Sequence, residues 1–183
     1  MRLIVLSLTF LFLSGVMADE PKGTPVKLDK LISLAPADWK VEKPANLLRS
    51  HQFKLAKVDP DTIDAELVIA PDVKGTPETN IQRWLDGFIP PEGKTVKDVS
   101  KVEKFDIGKA KVVYLDVSGT QIYKERPFDP KSKEVLRPGF RMLSVIFDSG
   151  DGNYRIYLTG PMKTVEKHKK AFDEWLKGFK TGK

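Results

Sequence analysis

The chain of 183 residues contains no cysteine and only two histidines, His51 and His168. The missing thiols exclude disulfides, thiolate zinc sites, a cysteine nucleophile and iron–sulfur ligation together. They also exclude a lipid-modified cysteine as a membrane tether. With so few imidazoles, no His-x-x-x-His or His-Glu-x-x-His spacing exists, so a zinc hydrolase of the usual kind has no footing. Gly-x-Ser-x-Gly, the Walker loop and the dinucleotide-binding glycine pattern are absent as well. Long apolar runs are missing beyond the start of the chain, and none reaches the roughly 20 residues that a membrane-spanning helix requires.

The apolar run that does exist is at the front. Arg2 supplies a short positive region, Leu3 to Leu13 are apolar but for Ser7 and Thr9, and Val16-Met17-Ala18 precede Asp19. This is the layout of a cleaved secretory leader over residues 1–18, and it predicts an exported protein, periplasmic or extracellular. The lack of cysteine in an exported chain of this size suits a bacterial periplasm. The formal net charge is +6, with both signs interspersed, as in Lys54, Lys57, Asp59, Asp61, Asp64 and Glu66. Such mixing describes a well-solvated surface.

Beyond the leader, residues 19–27 carry Pro, Gly and charge without an apolar period, and are expected to form a flexible lead-in. Residues 28–180 are expected to form one domain. Trp39 to Glu42 alternates between Pro36 and Pro44 and predicts a short strand. Arg49 to Lys57 predicts another, with His51, Phe53 and Leu55 on one face. Ala65 to Ala70 is a third, ended by Pro71. Then Ile81, Trp84, Leu85 and Phe88 take helical spacing, with Thr76 as N-cap, Pro77 at the first position and a stop at Pro90-Pro91. Val99 to Ile107 and Lys109 to Ser118 flank Gly108 as a hairpin. Residues 120–139, broken by Pro127, Pro130, Pro138 and Gly139, predict a loop-like excursion. Phe140 to Phe147 and Tyr154 to Thr159 predict a second hairpin across the turn residues Asp148 to Asn153. A closing helix follows Gly160-Pro161. Its stripe is Met162, Val165, Phe172, Leu176 and Phe179, with Lys169 as the one gap. Strands, a helix, more strands and a helix imply an α+β fold: a twisted, mainly antiparallel sheet flanked by helices.

The Trp-containing segment Pro36-Ala37-Asp38-Trp39, the helix pattern Asn80-Ile81-Gln82-Arg83-Trp84, and Tyr154 to Gly160 running into an amphipathic helix resemble the PsbP-like fold of small exported bacterial proteins. The resemblance implies an α/β/α sandwich over roughly residues 30–180. It also implies a non-catalytic accessory or binding role, and it carries over no site residue.

No catalytic residue, cofactor or metal is expected. The acidic run Asp59, Asp61, Asp64 and Glu66 has calcium-binding residue types, but Ile63 stands at the fifth position of an EF-hand count and Asp64 replaces its glycine. There and at Asp148 and Asp151, the expectation is turns whose carboxylates bond nearby backbone. His51 and His168 are expected at packing boundaries; an enzyme using either, a hydrolase or a metal-dependent one, is the alternative. The candidate contact surface is Tyr123, Lys124, Arg126, Phe128, Arg137 and Arg141, because arginine with aromatic rings suits recognition of a partner. That partner is expected to be another envelope protein, with an anionic polymer or small ligand as further options. Nucleic acid is not expected, since the basic density falls short of a binding stripe. The expected function is therefore an exported, non-catalytic accessory or binding module of the cell envelope.

Overall fold

The structure is a computed structural model that describes residues 23–125 and 131–182. Eleven strands and two α-helices follow one another along it. The first strands are β1 (Gly23–Leu28), β2 (Leu31–Pro36), β3 (Lys40–Glu42), β4 (His51–Leu55) and β5 (Ala65–Pro71). Helix α1 (Pro77–Leu85) and the short β6 (Phe88–Ile89) come next. They lead into β7 (Ser100–Ile107), β8 (Ala110–Lys124), β9 (Glu134–Asp148) and β10 (Asn153–Pro161). Helix α2 (Met162–Lys177) and β11 (Lys180–Thr181) close the order. The fold is α+β, and every strand pairing is antiparallel.

An eight-stranded sheet runs β3-β4-β5-β10-β9-β8, and β8 carries both β6 and β7 on its outer edge. A separate three-stranded sheet has the order β1-β2-β11. Because side chains alternate along a strand, the large sheet sorts its residues by parity. Leu67, Ile69, Tyr114, Leu143, Val145, Phe147, Ile156 and Leu158 face α2 and meet Val165, Phe172, Trp175 and Leu176. The small sheet closes the same core through Val26, Leu28 and Ala35. Leu115, Val117, Phe140, Met142 and Ile146 point the other way, under Ile81, Trp84 and Leu85 of α1. The helices therefore sit on opposite faces of the sheet, as the element order predicts.

Local chemistry accounts for the ends of the helices. Thr76 Oγ1 accepts from Thr79 N at 3.2 Å and Pro77 opens α1. Pro161 cannot cap α2 through its side chain, so Asp61 does so from a distant loop, accepting from Thr164 N at 2.8 Å and from Thr164 Oγ1 at 2.7 Å. The Lys169 gap in the α2 stripe is filled by a polar contact: Lys169 Nζ reaches Asp173 at 2.7 Å and the Tyr114 hydroxyl at 3.2 Å.

Three expectations are corrected. Residues 23–27 are strand, not lead-in: Val26 and Leu28 are buried with period two, and Pro25 is tolerated because β1 is an edge. Helix α1 ends at Leu85 rather than Pro90, because the chain turns at Asp86-Gly87 to lay Phe88–Ile89 against Thr120 and Gln121. Much of 120–139 is not an excursion. Strands β8 and β9 are each 15 residues long and pair as far as Lys124 and Glu134, through a register shift between Gly119 and Gln121. The charges that suggested a loop form a cross-strand pair there, Lys124 with Glu134 at 3.0 Å. Gly119 is required at the shift: its φ is +153°, and a Cβ would lie 2.6 Å from the Ile89 carbonyl oxygen.

Candidate functional site

The face that carries α1 is only partly covered by it. Beside the helix, β10 presents Arg155, Tyr157 and Thr159, the residues that alternate with buried Ile156 and Leu158. The Arg155 guanidinium carbon lies 4.4 Å from the ring centroids of both Trp84 and Tyr157. Its Nε donates to Ser144 Oγ at 3.3 Å and its Nη2 to Met142 Sδ at 3.6 Å. Among the described residues no carboxylate pairs with it. Burial, with the positive charge of Arg83 and Arg49 nearby, lowers its pKa to about 10.

Two adjoining recesses, of about 660 and about 360 Å³, share Gln121, Tyr123, Met142 and Arg155 in their walls. Arg83, Trp84 and Phe88 line the first, and Arg49, Arg137 and Tyr157 the second. Two buried polar atoms here have no partner among the described residues: Trp84 Nε1 and Gln121 Oε1. Buried polar atoms are seldom left so. Gln121 Nε2 donates to Thr159 Oγ1 at 3.2 Å, which ties β8 to β10 across the groove. A larger recess of about 760 Å³ lies between β2, β11 and α2, with a mainly apolar wall that Glu174 and Lys180 border.

The structure divides the sequence-derived candidates. Tyr123 and Arg137 belong to the groove, the Arg137 guanidinium resting 3.4 Å above the Tyr123 ring. Lys124 is engaged by Glu134. Arg141 is directed to the opposite face, where Nε and Nη2 grip Asp116 at 2.8 and 2.7 Å and Nη1 meets Glu166 of α2. That fork raises the pKa of Arg141 and ties α2 to the sheet. Arg126 and Phe128 lie outside the described residues.

His168 is buried, with Nε2 2.9 Å from the Ala56 carbonyl oxygen. His51 Nδ1 is 3.1 Å from Ser50 Oγ, and burial lowers its pKa. The acidic turns are engaged in structure. Asp61 caps α2, Asp64 Oδ1 accepts from Lys57 N at 2.9 Å, Glu66 pairs with Arg49 at 2.7 Å, and Asp148 Oδ1 accepts from Gly150 N at 2.9 Å. Asp151 pairs with Lys30 at 3.0 Å. Among the described residues no three His, Asp or Glu side chains converge as a metal site, and no helix is long and apolar enough to cross a membrane.

Arg155 and Gln121 were not legible as site residues. Alternation in Tyr154-Arg155-Ile156-Tyr157-Leu158 shows that Arg155 shares a face with Tyr157. Nothing local shows that the acids around it are all paired elsewhere.

No protein-family model matches the chain, and no curated protein does. Among solved structures, it is similar to the solution structure of cyanobacterial PsbP from Synechocystis sp. PCC 6803. The two are 13% identical with a TM-score of 0.46, over 91% of this chain and 96% of that one. That protein is named as a PsbP, the family that the tryptophan and helix patterns of this sequence resemble.

Proposed function

We propose that the chain is an exported, non-catalytic accessory or binding module of the cell envelope, and that it binds its partner on the sheet face beside α1. The observation that carries this is Arg155. It is a desolvated cation, held by two aromatic rings in an open groove, with no carboxylate to neutralise it among the described residues. Retaining an unpaired, half-buried charge costs free energy, and perturbed groups in clefts mark functional sites. Tyr123 and Arg137 extend the same surface with the residue types that anchor interfaces. Export rests on the pattern of residues 1–18, which lie outside the described residues.

The histidines lend the enzyme alternative no support. His168 is tied to a backbone carbonyl, and His51 has a hydroxyl in reach but no carboxylate among the described residues. Site-directed photo-crosslinking tests the binding face. A photoreactive residue at position 137, in the groove, should give a recurrent adduct in an envelope extract of the native host. The same group at position 163, exposed on α2 across the sheet, should not. Adducts from position 163 alone would move the contact to the other face, and silence from both would remove the envelope-partner reading.

A further inference from the structure

The groove also has a chemical preference. A guanidinium carries five N–H donors in one plane. In Arg155 one goes to Ser144 Oγ and one to the sulfur of Met142, a poor acceptor. The others, including both on Nη1, have no acceptor among the described residues. The contacts with Trp84 and Tyr157 fix the plane in place, so the donors are pre-oriented.

The acids in the walls do not supply the missing acceptor. Glu66 is held by Arg49 and Glu134 by Lys124, at 2.7 and 3.0 Å. Asp86 accepts from Gln82 Nε2 at 2.7 Å, and Asp64 from the Lys57 backbone. By contrast Arg83 donates to the neutral Asn80, and Arg137 lies on the Tyr123 ring. Among the described residues, the cations Arg83, Arg137 and Arg155 thus lack a carboxylate partner around one groove. Gln121 adds an adjustable group. Its partner Thr159 Oγ1 can donate as readily as accept, so the amide can turn and direct Nε2 towards an anion instead of the unpartnered Oε1. The buried Trp84 indole N–H likewise has no acceptor among the described residues. Apart from these donors, Phe88, Met142 and the Trp84 ring make the wall apolar.

We propose that this groove binds a small organic anion, with a carboxylate or phosphate oxygen pair on the free edge of Arg155 and an apolar body along Trp84 and Phe88. Arginine is suited to this because its fork matches the spacing of both oxyanions, which a lysine ammonium does not. The volume of the larger recess, about 660 Å³, is within the range of small-ligand sites. The proposal names the ligand chemistry of the face described above and rests on that face being the binding surface.

The test uses sodium benzoate and phenyl phosphate as the two oxyanion probes and benzamide as the neutral control, at constant ionic strength. The readout is the indole N–H resonance of Trp84 in a ¹H–¹⁵N spectrum, assigned with Trp84→Phe. Trp39 and Trp175 belong to the core on the other face and serve as internal references. At least one anion should shift the Trp84 resonance saturably while the other two tryptophans stay still, and benzamide should not. Whichever anion acts identifies the carboxylate or phosphate source. Arg155→Lys should weaken that binding at least tenfold and Arg83→Gln two- to threefold. The proposal is overturned if neither anion moves Trp84, if benzamide acts equally, or if Arg155→Lys binds as well as the parent. Should Arg155→Lys not fold, the contrast between anion and benzamide on the parent protein decides. Adducts at position 137 with no response to either anion would reject the oxyanion site and leave the binding face intact; the reverse pattern would reject the envelope partner alone.

Discussion

Replacing Arg155 by methionine should stabilise the protein while abolishing its binding. Burial holds the guanidinium well below the ordinary arginine range, at a pKa of about 10. At about 1.4 kcal/mol per pH unit, keeping it charged in the folded state costs roughly 3 kcal/mol. The sign follows from a cation whose folded pKa is lowered. The cost is fully present below pH 10 and is relieved as pH rises through 10 towards the ordinary arginine range. Against it stand the ring contacts with Trp84 and Tyr157, each worth about 0.5–1 kcal/mol. Methionine keeps much of the side chain's length and apolar contact with the rings. The net expectation for Arg155→Met is a gain of about 1–2 kcal/mol at pH 7, a rise in Tm of roughly 2–8 °C for a chain of this size. Thermal and urea unfolding followed by circular dichroism, parent and variant side by side, would measure it. The difference should shrink as the pair is compared above pH 10. A loss of more than about 1 kcal/mol at pH 7 would refute the reasoning, because it would mean that Arg155 serves the fold.

Arg141→Ala should behave in the opposite way. It breaks a two-bond grip on Asp116 and the tie to Glu166, so a loss of about 2–3 kcal/mol is expected, with no change in partner capture. Equal stability with weakened capture would return Arg141 to the binding surface. Phe172→Ala removes a fully buried ring that meets Tyr114 and Trp175, and should cost about 3–5 kcal/mol in urea unfolding. Asp61→Ala deletes the remote cap of α2 and should cost about 1–2 kcal/mol, with amide exchange rising first at Thr164 and its neighbours.

Where local chemistry decides a structure, the sequence discloses it. The hairpin of β9 and β10 turns through residues that accept tight geometry, and Thr76-Pro77 sets the start of α1. Residues 120–139 misled because prolines and charges, read locally, describe a loop. Their conformation is decided by partners across the strand, Lys124 with Glu134 and Tyr123 with Arg137, which no local window contains. β1 was missed for the same reason, since only pairing with β2 organises Val26 and Leu28. For the site, the local mixture of arginine with aromatic rings groups Tyr123, Arg137 and Arg141 together, whereas the structure sets Arg137 on the Tyr123 ring and turns Arg141, beyond the register shift, towards α2. Arg155 was invisible because its distinguishing property is a missing partner, which only the assembled sheet defines.

The most direct test of the binding face is partner capture from a native envelope extract by the parent protein and Arg155→Met in parallel, quantified by mass spectrometry. A recurrent partner held by the parent and lost by the more stable variant is the predicted result. Equal capture by both would contradict the central claim that this groove is the working surface of the molecule.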